Sequence, residues 1–360
     1  MPSRGRLPQV IDMSSERFIP ERAFIDEDAL AYPLTQEIRD RLRDLRVPVR
    51  VLSARQRPDI PGSSPTAVYS QSKKTLVVRV RKEGEFQTCK PSAHYQIPLV
   101  SSCPGLCEYC YLQATLGPRP YVRVYANLEE VLSASQRLAT RREPEVTVFE
   151  GSATSDPLAV EHITGSLRRT IEFLGDKDKS RFKFVTKFSD VEPLLGAAHG
   201  GNTTVRFSVN AHHVIRTFEH GTAGLDERLQ AMKKVREDRY PVGIMVGPVI
   251  RFAGWEDGYR DLLRGLARAI GESTGSGEAS DGAIPIEIIT HRFTSRAKKN
   301  ILTVFPRSTL PMDESARRLV HGQFGYTKYV YPPETMEEMR EFFEREIAEA
   351  LPQARVQYFV

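Results

Sequence analysis

Beyond residue 95 the chain alternates short apolar runs with longer amphipathic stretches. Runs at 95–100, 146–150, 182–186, 204–210, 242–246 and 284–290 are five to seven residues long and read as strands. Between them, 128–141, 158–174, 191–197, 225–236 and 255–271 repeat apolar residues at three- and four-residue spacing and read as helices. Successive strands separated by a crossover helix pair in parallel, so the class is α/β. Six units predict an incomplete (β/α)6 barrel, open on one side, with a doubly wound sheet as the alternative. Upstream, 26–45 has a helical pattern, 58–65 is rich in Pro, Gly and Ser and reads as a loop, and 76–80 reads as a strand. Downstream, 272–283 is a small-residue loop, 322–331 sets aromatics around glycines as a hairpin does, 334–351 is helical and 356–360 is a short strand. The expected division is an N-terminal extension over 1–88, a barrel over 89–310, and a C-terminal hairpin and helix over 311–360.

Composition narrows the class only slightly. The 360 residues are 40% hydrophobic and 27% charged, an ordinary globular balance for one barrel-sized domain with extensions. A net charge of +5 permits a nucleic-acid partner without requiring one. The N-terminus MPSRGRLPQV has no apolar core of a secretory signal, and no run of about 18 apolar residues marks a membrane span. A cytoplasmic monomer is expected.

The chemistry concentrates in one stretch. Three of the four cysteines, Cys103, Cys107 and Cys110, fall within eight positions as C-x3-C-x2-C. Three thiolates on one loop satisfy three irons of a [4Fe–4S] cube and leave the fourth iron open to a small molecule. A structural zinc site wants four ligands. His94 is the only histidine nearby, and Cys89 stands fourteen residues before Cys103.

In parallel α/β folds, chemistry collects at the carboxyl ends of the strands. The cysteine loop follows the first predicted strand. Ser152, Thr154, Ser155 and Asp156 follow the second, Lys187 the third, and Asn210 ends the fourth, which also contains Ser208. Lys187 is suited to a ligand carboxylate. In the hairpin, aromatics interleaved with Lys328 suit stacking on splayed bases and contact with phosphate.

Taken together, the three cysteines with Tyr109-Cys110-Tyr111-Leu112-Gln113, Lys90-Pro91-Ser92, Thr154-Ser155-Asp156, Phe184-Val185-Thr186-Lys187, Arg206 to Asn210, His291-Arg292-Phe293-Thr294 and Gly325 to Tyr331 resemble the spore photoproduct lyase family of the radical S-adenosylmethionine superfamily. The resemblance implies a partial (β/α)6 barrel, a [4Fe–4S] cluster on Cys103, Cys107 and Cys110, and S-adenosylmethionine as cofactor. Tyr109, Ser155, Lys187, Ser208 and Asn210 match its cofactor-contacting positions. Gln323, Phe324 and Lys328 match the wedge that enters DNA and lets the lesion leave the stack. The implied substrate is DNA bearing 5-thyminyl-5,6-dihydrothymine. A 5′-deoxyadenosyl radical takes hydrogen from C6, the methylene bridge breaks, and the thymine radical regains hydrogen. A one-electron reductant of flavodoxin or ferredoxin type is implied as partner.

Two departures stand out. The family has a cysteine hydrogen donor directly before Thr-Ser-Asp, where this chain has Ala153; Gln323 and Phe324 replace a usual arginine and tyrosine. Tyr111 is therefore expected as the donor or relay, with Cys89, the spare thiol, as runner-up. The competing readings are a radical enzyme of the same scaffold acting on a different lesion or substrate, and a zinc-stabilised nucleic-acid-binding module without catalysis.

Overall fold

The computed structural model describes residues 17–54, 56–82, 84–151, 154–271, 283–321 and 327–360. Ala153, Gln323 and Phe324 lie outside the described residues. In chain order the described strands are β1 (Arg22–Asp26), β2 (Val49–Leu52), β3 (Thr75–Arg79), β4 (Tyr95–Ile97), β5 (Val100–Ser101), β6 (Val122–Tyr125) and β7 (Thr147–Gly151). They continue with β8 (Ser180–Thr186), β9 (Thr203–Val209), β10 (Val242–Val249), β11 (Ile284–Thr290), β12 (Arg318–His321), β13 (Thr327–Val330) and β14 (Ala354–Phe359).

Seven strands form one sheet in the order β14-β11-β10-β9-β8-β7-β4, and every pairing in it is parallel. The order runs along the chain without reversing. A doubly wound sheet would reverse at a switch point, so the winding is that of a barrel. Its edges β4 and β14 do not pair with each other, which leaves the barrel open. The C-terminal strand thus adds a seventh to the six anticipated.

Side chains alternate across each strand and decide what fills each face. Phe149, Phe182, Phe184, Val205, Phe207, Ile244, Val246, Ile286 and Ile288 belong to the main buried apolar cluster. The alternate positions hold Glu150, Lys183, Arg206, Ser208 and Glu287, so one face of the sheet is polar. A second sheet, β2-β1-β3-β6-β5, is parallel except for the β5–β6 pair.

Several expected elements change. The run 95–100 splits at Pro98: β4 stays in the barrel and β5 crosses to pair with β6, because proline interrupts a ladder. The expected helix 158–174 breaks at Gly165, whose φ of +64 gives a left-handed turn before the helix Ser166–Gly175. At 191–197 only the 3-10 turn Glu192–Leu194 forms, with Pro193 removing a donor. The loop read over 58–65 leads into an unforeseen helix, Pro65–Lys73, whose Ser64 side chain accepts from the Ala67 N–H at 3.2 Å. Among the described residues no helix is long and apolar enough to cross a membrane.

Candidate active site

The cysteine loop leaves β5 through Ser102, a fully buried residue with φ +67. That left-handed conformation is unfavourable for serine and is held from both sides. The Ser102 N–H donates to the Thr154 carbonyl at 3.0 Å, and its hydroxyl to the Pro120 carbonyl at 2.7 Å. The loop is then pinned to residues 218–220, with Leu106 N–H donating to His220 O at 2.7 Å and Glu108 N–H to Phe218 O at 2.9 Å. The Gln113 amide clamps the carbonyls of Cys107 and Glu108 at 3.2 and 2.9 Å. Gly105 is required by close approach: a Cβ there would meet Thr222 Cγ2 at 3.0 Å and the Cys103 sulfur at 3.4 Å.

Cys103, Cys107 and Cys110 are all free thiols. Burial pushes the Cys103 thiol up to about 12 and raises that of Cys107 as well, so both stay protonated at neutral pH until a metal displaces the proton. Three thiols on one pinned loop are the donor set an iron–sulfur cluster takes, and the residues fit that group in kind. A zinc ion would need a fourth ligand beyond the three cysteines; His94, the only histidine nearby in sequence, accepts a hydrogen bond from the Val148 N–H at 2.9 Å.

Beside the loop lies a buried ionic group that the sequence did not reveal. Glu219, whose side chain is 0% exposed, takes Arg228 Nη2 at 2.5 Å and Lys187 Nζ at 3.0 Å, and accepts the Tyr109 hydroxyl. Arg228 also donates to the carbonyls of Ala223 and Ser208. Burial disfavours the Glu219 charge, but Arg228 and Lys187 outweigh it and hold the carboxyl at about 2. The Tyr109 ring sits 5.5 Å from Lys187 Nζ, and burial, then the Glu219 charge, keeps its phenol well above the usual range. Lys187 is therefore a compensated cation, its side chain 18% exposed. Glu219→Gln would leave Arg228 buried without a counter-charge and cost about 3–5 kcal/mol, read as a lower urea midpoint. Adding Arg228→Met should recover much of that loss.

The other expected cofactor contacts have differing surroundings. Ser155 pairs with Ser102 across a parallel bridge, which brings the Thr-Ser-Asp segment against the cysteine loop. Asp156 does not cap its own helix. Its Oδ2 accepts from the Lys187 N–H at 2.7 Å, tying the ends of β7 and β8, and burial raises its carboxyl to about 6. Ser208 is buried on β9. Asn210 is fully buried with its amide spent on the fold: Nδ2 donates to Pro248 O at 2.7 Å, and Oδ1 accepts from Ala211 N–H and the Tyr259 hydroxyl. These bonds tie Asn210 into the rim beside the site.

Of the two hydrogen-donor candidates, Tyr111 follows directly on Cys110, and Cys89 precedes β4. Cys89 bridges Ala93 in the turn before β4. Burial, and next the Glu150 carboxylate, push its thiol up to about 11. Glu150 accepts from Arg206 and from the Ser92 hydroxyl at 3.0 Å, while Arg206 reaches Glu287 at 2.8 Å. Tyr111 is 59% exposed, yet crowding around its hydroxyl, and next the charges of Cys110, Cys89 and Glu150, push its phenol well above the usual range.

The C-terminal hairpin β12–β13 is antiparallel, with Lys328 opposite Val320. Its root is fixed by stacking of Phe293 on Tyr329 at 5.3 Å and by the Arg317 guanidinium 3.5 Å from the Tyr331 ring centre.

Comparison with known proteins extends over nearly the whole chain. A family model described as spore photoproduct lyase matches residues 18–360. The spore photoproduct lyase of Geobacillus sp. is 43% identical over 343 residues, covering 95% of this chain and 99% of the relative. That of Clostridium acetobutylicum is 40% identical over 339 residues, covering 94% and 98%. A solved spore photoproduct lyase complexed with dinucleoside spore photoproduct superposes with a TM-score of 0.90 at 41% identity, covering 96% of this chain and 100% of that one. A double mutant, with one cysteine changed to alanine and one serine to cysteine, is solved with bound AdoMet and dinucleoside spore photoproduct; it has a TM-score of 0.90, 42% identity and the same coverage.

Proposed function

The chain belongs to the spore photoproduct lyase family, and from that premise we propose that it reverts 5-thyminyl-5,6-dihydrothymine in damaged DNA to two thymines. The observation that carries this reading is the loop of three free thiols, Cys103, Cys107 and Cys110, pinned at the carboxyl rim of the barrel. When bound there, a [4Fe–4S] cluster and S-adenosylmethionine supply the 5′-deoxyadenosyl radical that starts the reaction. Tyr109 and Lys187, locked on Glu219, shape the cofactor side of the pocket, and Ser155 and Ser208 complete it. Gln323, Phe324 and Lys328 contact the lesion-bearing strand, and a flavodoxin- or ferredoxin-type donor provides the electron.

The final hydrogen falls to Cys89. Only an S–H, not a thiolate, transfers a hydrogen atom, and burial beside Glu150 keeps this thiol protonated. In the solved double mutant the two substituted positions stand as far apart, and in the same order, as Cys89 and Ala153 stand here. That coincidence supports Cys89 as the replacement for the donor missing at Ala153, and Tyr111 as the relay that returns hydrogen to it, its own hydrogen being restored from the methyl group of 5′-deoxyadenosine, which holds the atom taken from the lesion. This reverses the order of preference drawn from sequence, in which Tyr111 came first.

The test is anaerobic. Reconstituted, reduced protein is incubated with S-adenosylmethionine and dinucleoside spore photoproduct. Thymidine should accumulate with a requirement for the reductant. Iron-loaded protein that cleaves S-adenosylmethionine and leaves the lesion intact would point instead to a different substrate.

A further inference from the structure

The helix Pro65–Lys73 carries two buried groups one turn apart, Tyr69 and Lys73, beside the cysteine loop. Lys73 is 1% exposed. Its ammonium donates to the Cys103 carbonyl at 2.8 Å and to the Ser102 hydroxyl at 3.4 Å, and among the described residues it forms no ion pair with a carboxylate. Both acceptors are neutral. A buried ammonium is stable only with negative charge close by, and two of its three N–H groups are committed. Tyr69 is 3% exposed and its hydroxyl has no hydrogen-bond partner among the described residues. Leaving such a group unpaired costs about 1–3 kcal/mol. The ring is walled in, 5.4 Å from Lys73 Nζ and edge-on to Phe305 at 6.0 Å, and Phe305 lies against His220, which anchors the loop at Leu106. The charges that bear on the Tyr69 phenol, after burial itself, are those of Cys110, Cys107 and Cys103.

We propose that Lys73 and Tyr69 are positioning residues of the iron–sulfur cluster, donating N–H and O–H hydrogen bonds to its sulfurs and raising its reduction potential. The proposal rests on the reading of Cys103, Cys107 and Cys110 as cluster ligands and extends it to a helix outside the barrel. One-electron reduction adds negative charge to the cluster, and a donor aimed at its sulfur stabilises the reduced form more than the oxidised one. The buried cation and the unpartnered hydroxyl then complete each other's deficits through the same group. A Tyr69 that merely packed beside the loop would leave the potential unmoved when its hydroxyl is removed.

The experiment needs no substrate. Wild-type chain, Tyr69→Phe, Lys73→Met and Lys73→Arg are reconstituted anaerobically, iron and sulfide per chain are measured, and the midpoint potential is followed by EPR during a redox titration. Tyr69→Phe should keep its iron and titrate at a lower potential than wild type. Lys73→Met should shift the same way, and Lys73→Arg, which keeps the charge, should stay near wild type. If Lys73→Met fails to load while Lys73→Arg loads, the need for buried positive charge is upheld. A loaded Tyr69→Phe at the wild-type potential overturns the proposal and leaves the cluster assignment standing. A wild-type chain that binds no four-iron centre overturns both, a result distinguishable by iron content alone.

Discussion

Cys107→Ala should yield a folded protein that holds no stable iron–sulfur centre and repairs nothing. Cys107 is buried, its carbonyl is clamped by Gln113, and its sulfur shares one loop with Cys103 and Cys110. No other thiol among the described residues belongs to that loop, since Cys89 sits in the turn before β4. With two ligands the cube loses a corner, and the open iron that S-adenosylmethionine requires has no fixed place. Enzymes commonly accelerate reactions by about 10⁶-fold or more, so the loss should reach the background rate. Iron analysis and thymidine yield check it together. The fold should survive, because the loop's anchors at His220, Phe218 and Thr154 are backbone hydrogen bonds that alanine keeps. Wild-type iron content in Cys107→Ala would sink the ligand assignment.

The cysteine loop was legible as a unit because its residues are contiguous: three thiols within eight positions need no tertiary information. The strands β7 to β11 were legible for a different reason. Each is bounded by turn residues and enriched in β-branched and aromatic side chains, and 284–290 matches β11 at both ends. What escaped was whatever depends on long-range partners. Glu219 and Arg228 are nine residues apart in unremarkable sequence, and only folding makes them a buried pair holding Lys187 and Tyr109. Helix Pro65–Lys73 was hidden because its start looks like a proline-rich loop, although Ser64 followed by Pro65 is a cap and first-turn proline. β6 was missed between the cysteine loop and the helix Leu128–Arg142, because four residues are too few for a periodicity. Asn210 stood at a legible strand end, but its bonds to Pro248, Ala211 and Tyr259 depend on folding and left no mark in the sequence.

Cys89→Ala should divide the reaction where Cys107→Ala abolishes it. Iron content and cleavage of S-adenosylmethionine should persist, because Cys89 lies apart from the cysteine loop and no ligand is touched. Thymine yield should fall on the order of a hundredfold, the scale on which a positioned hydrogen-transferring side chain matters, and adducts of the unquenched thymine radical should appear in its place. The decisive variant is the double exchange Cys89→Ala with Ala153→Cys, which moves the thiol to the position where the resemblance places the family's donor. If the only deficit of Cys89→Ala is a missing S–H, the exchange restores thymine and suppresses the adducts. Tyr111→Phe separates donor from relay: a first turnover should still give thymine from the Cys89 thiol, and later turnovers should fail as that thiol is not renewed. Undiminished multiple-turnover yield from Cys89→Ala would remove the thiol from the pathway and return the donor's role to Tyr111. The Glu150 field bears on the same point. Glu150→Gln removes the carboxylate that, after burial, raises the Cys89 thiol, so alkylation of Cys89 by iodoacetamide should begin at lower pH than in wild type.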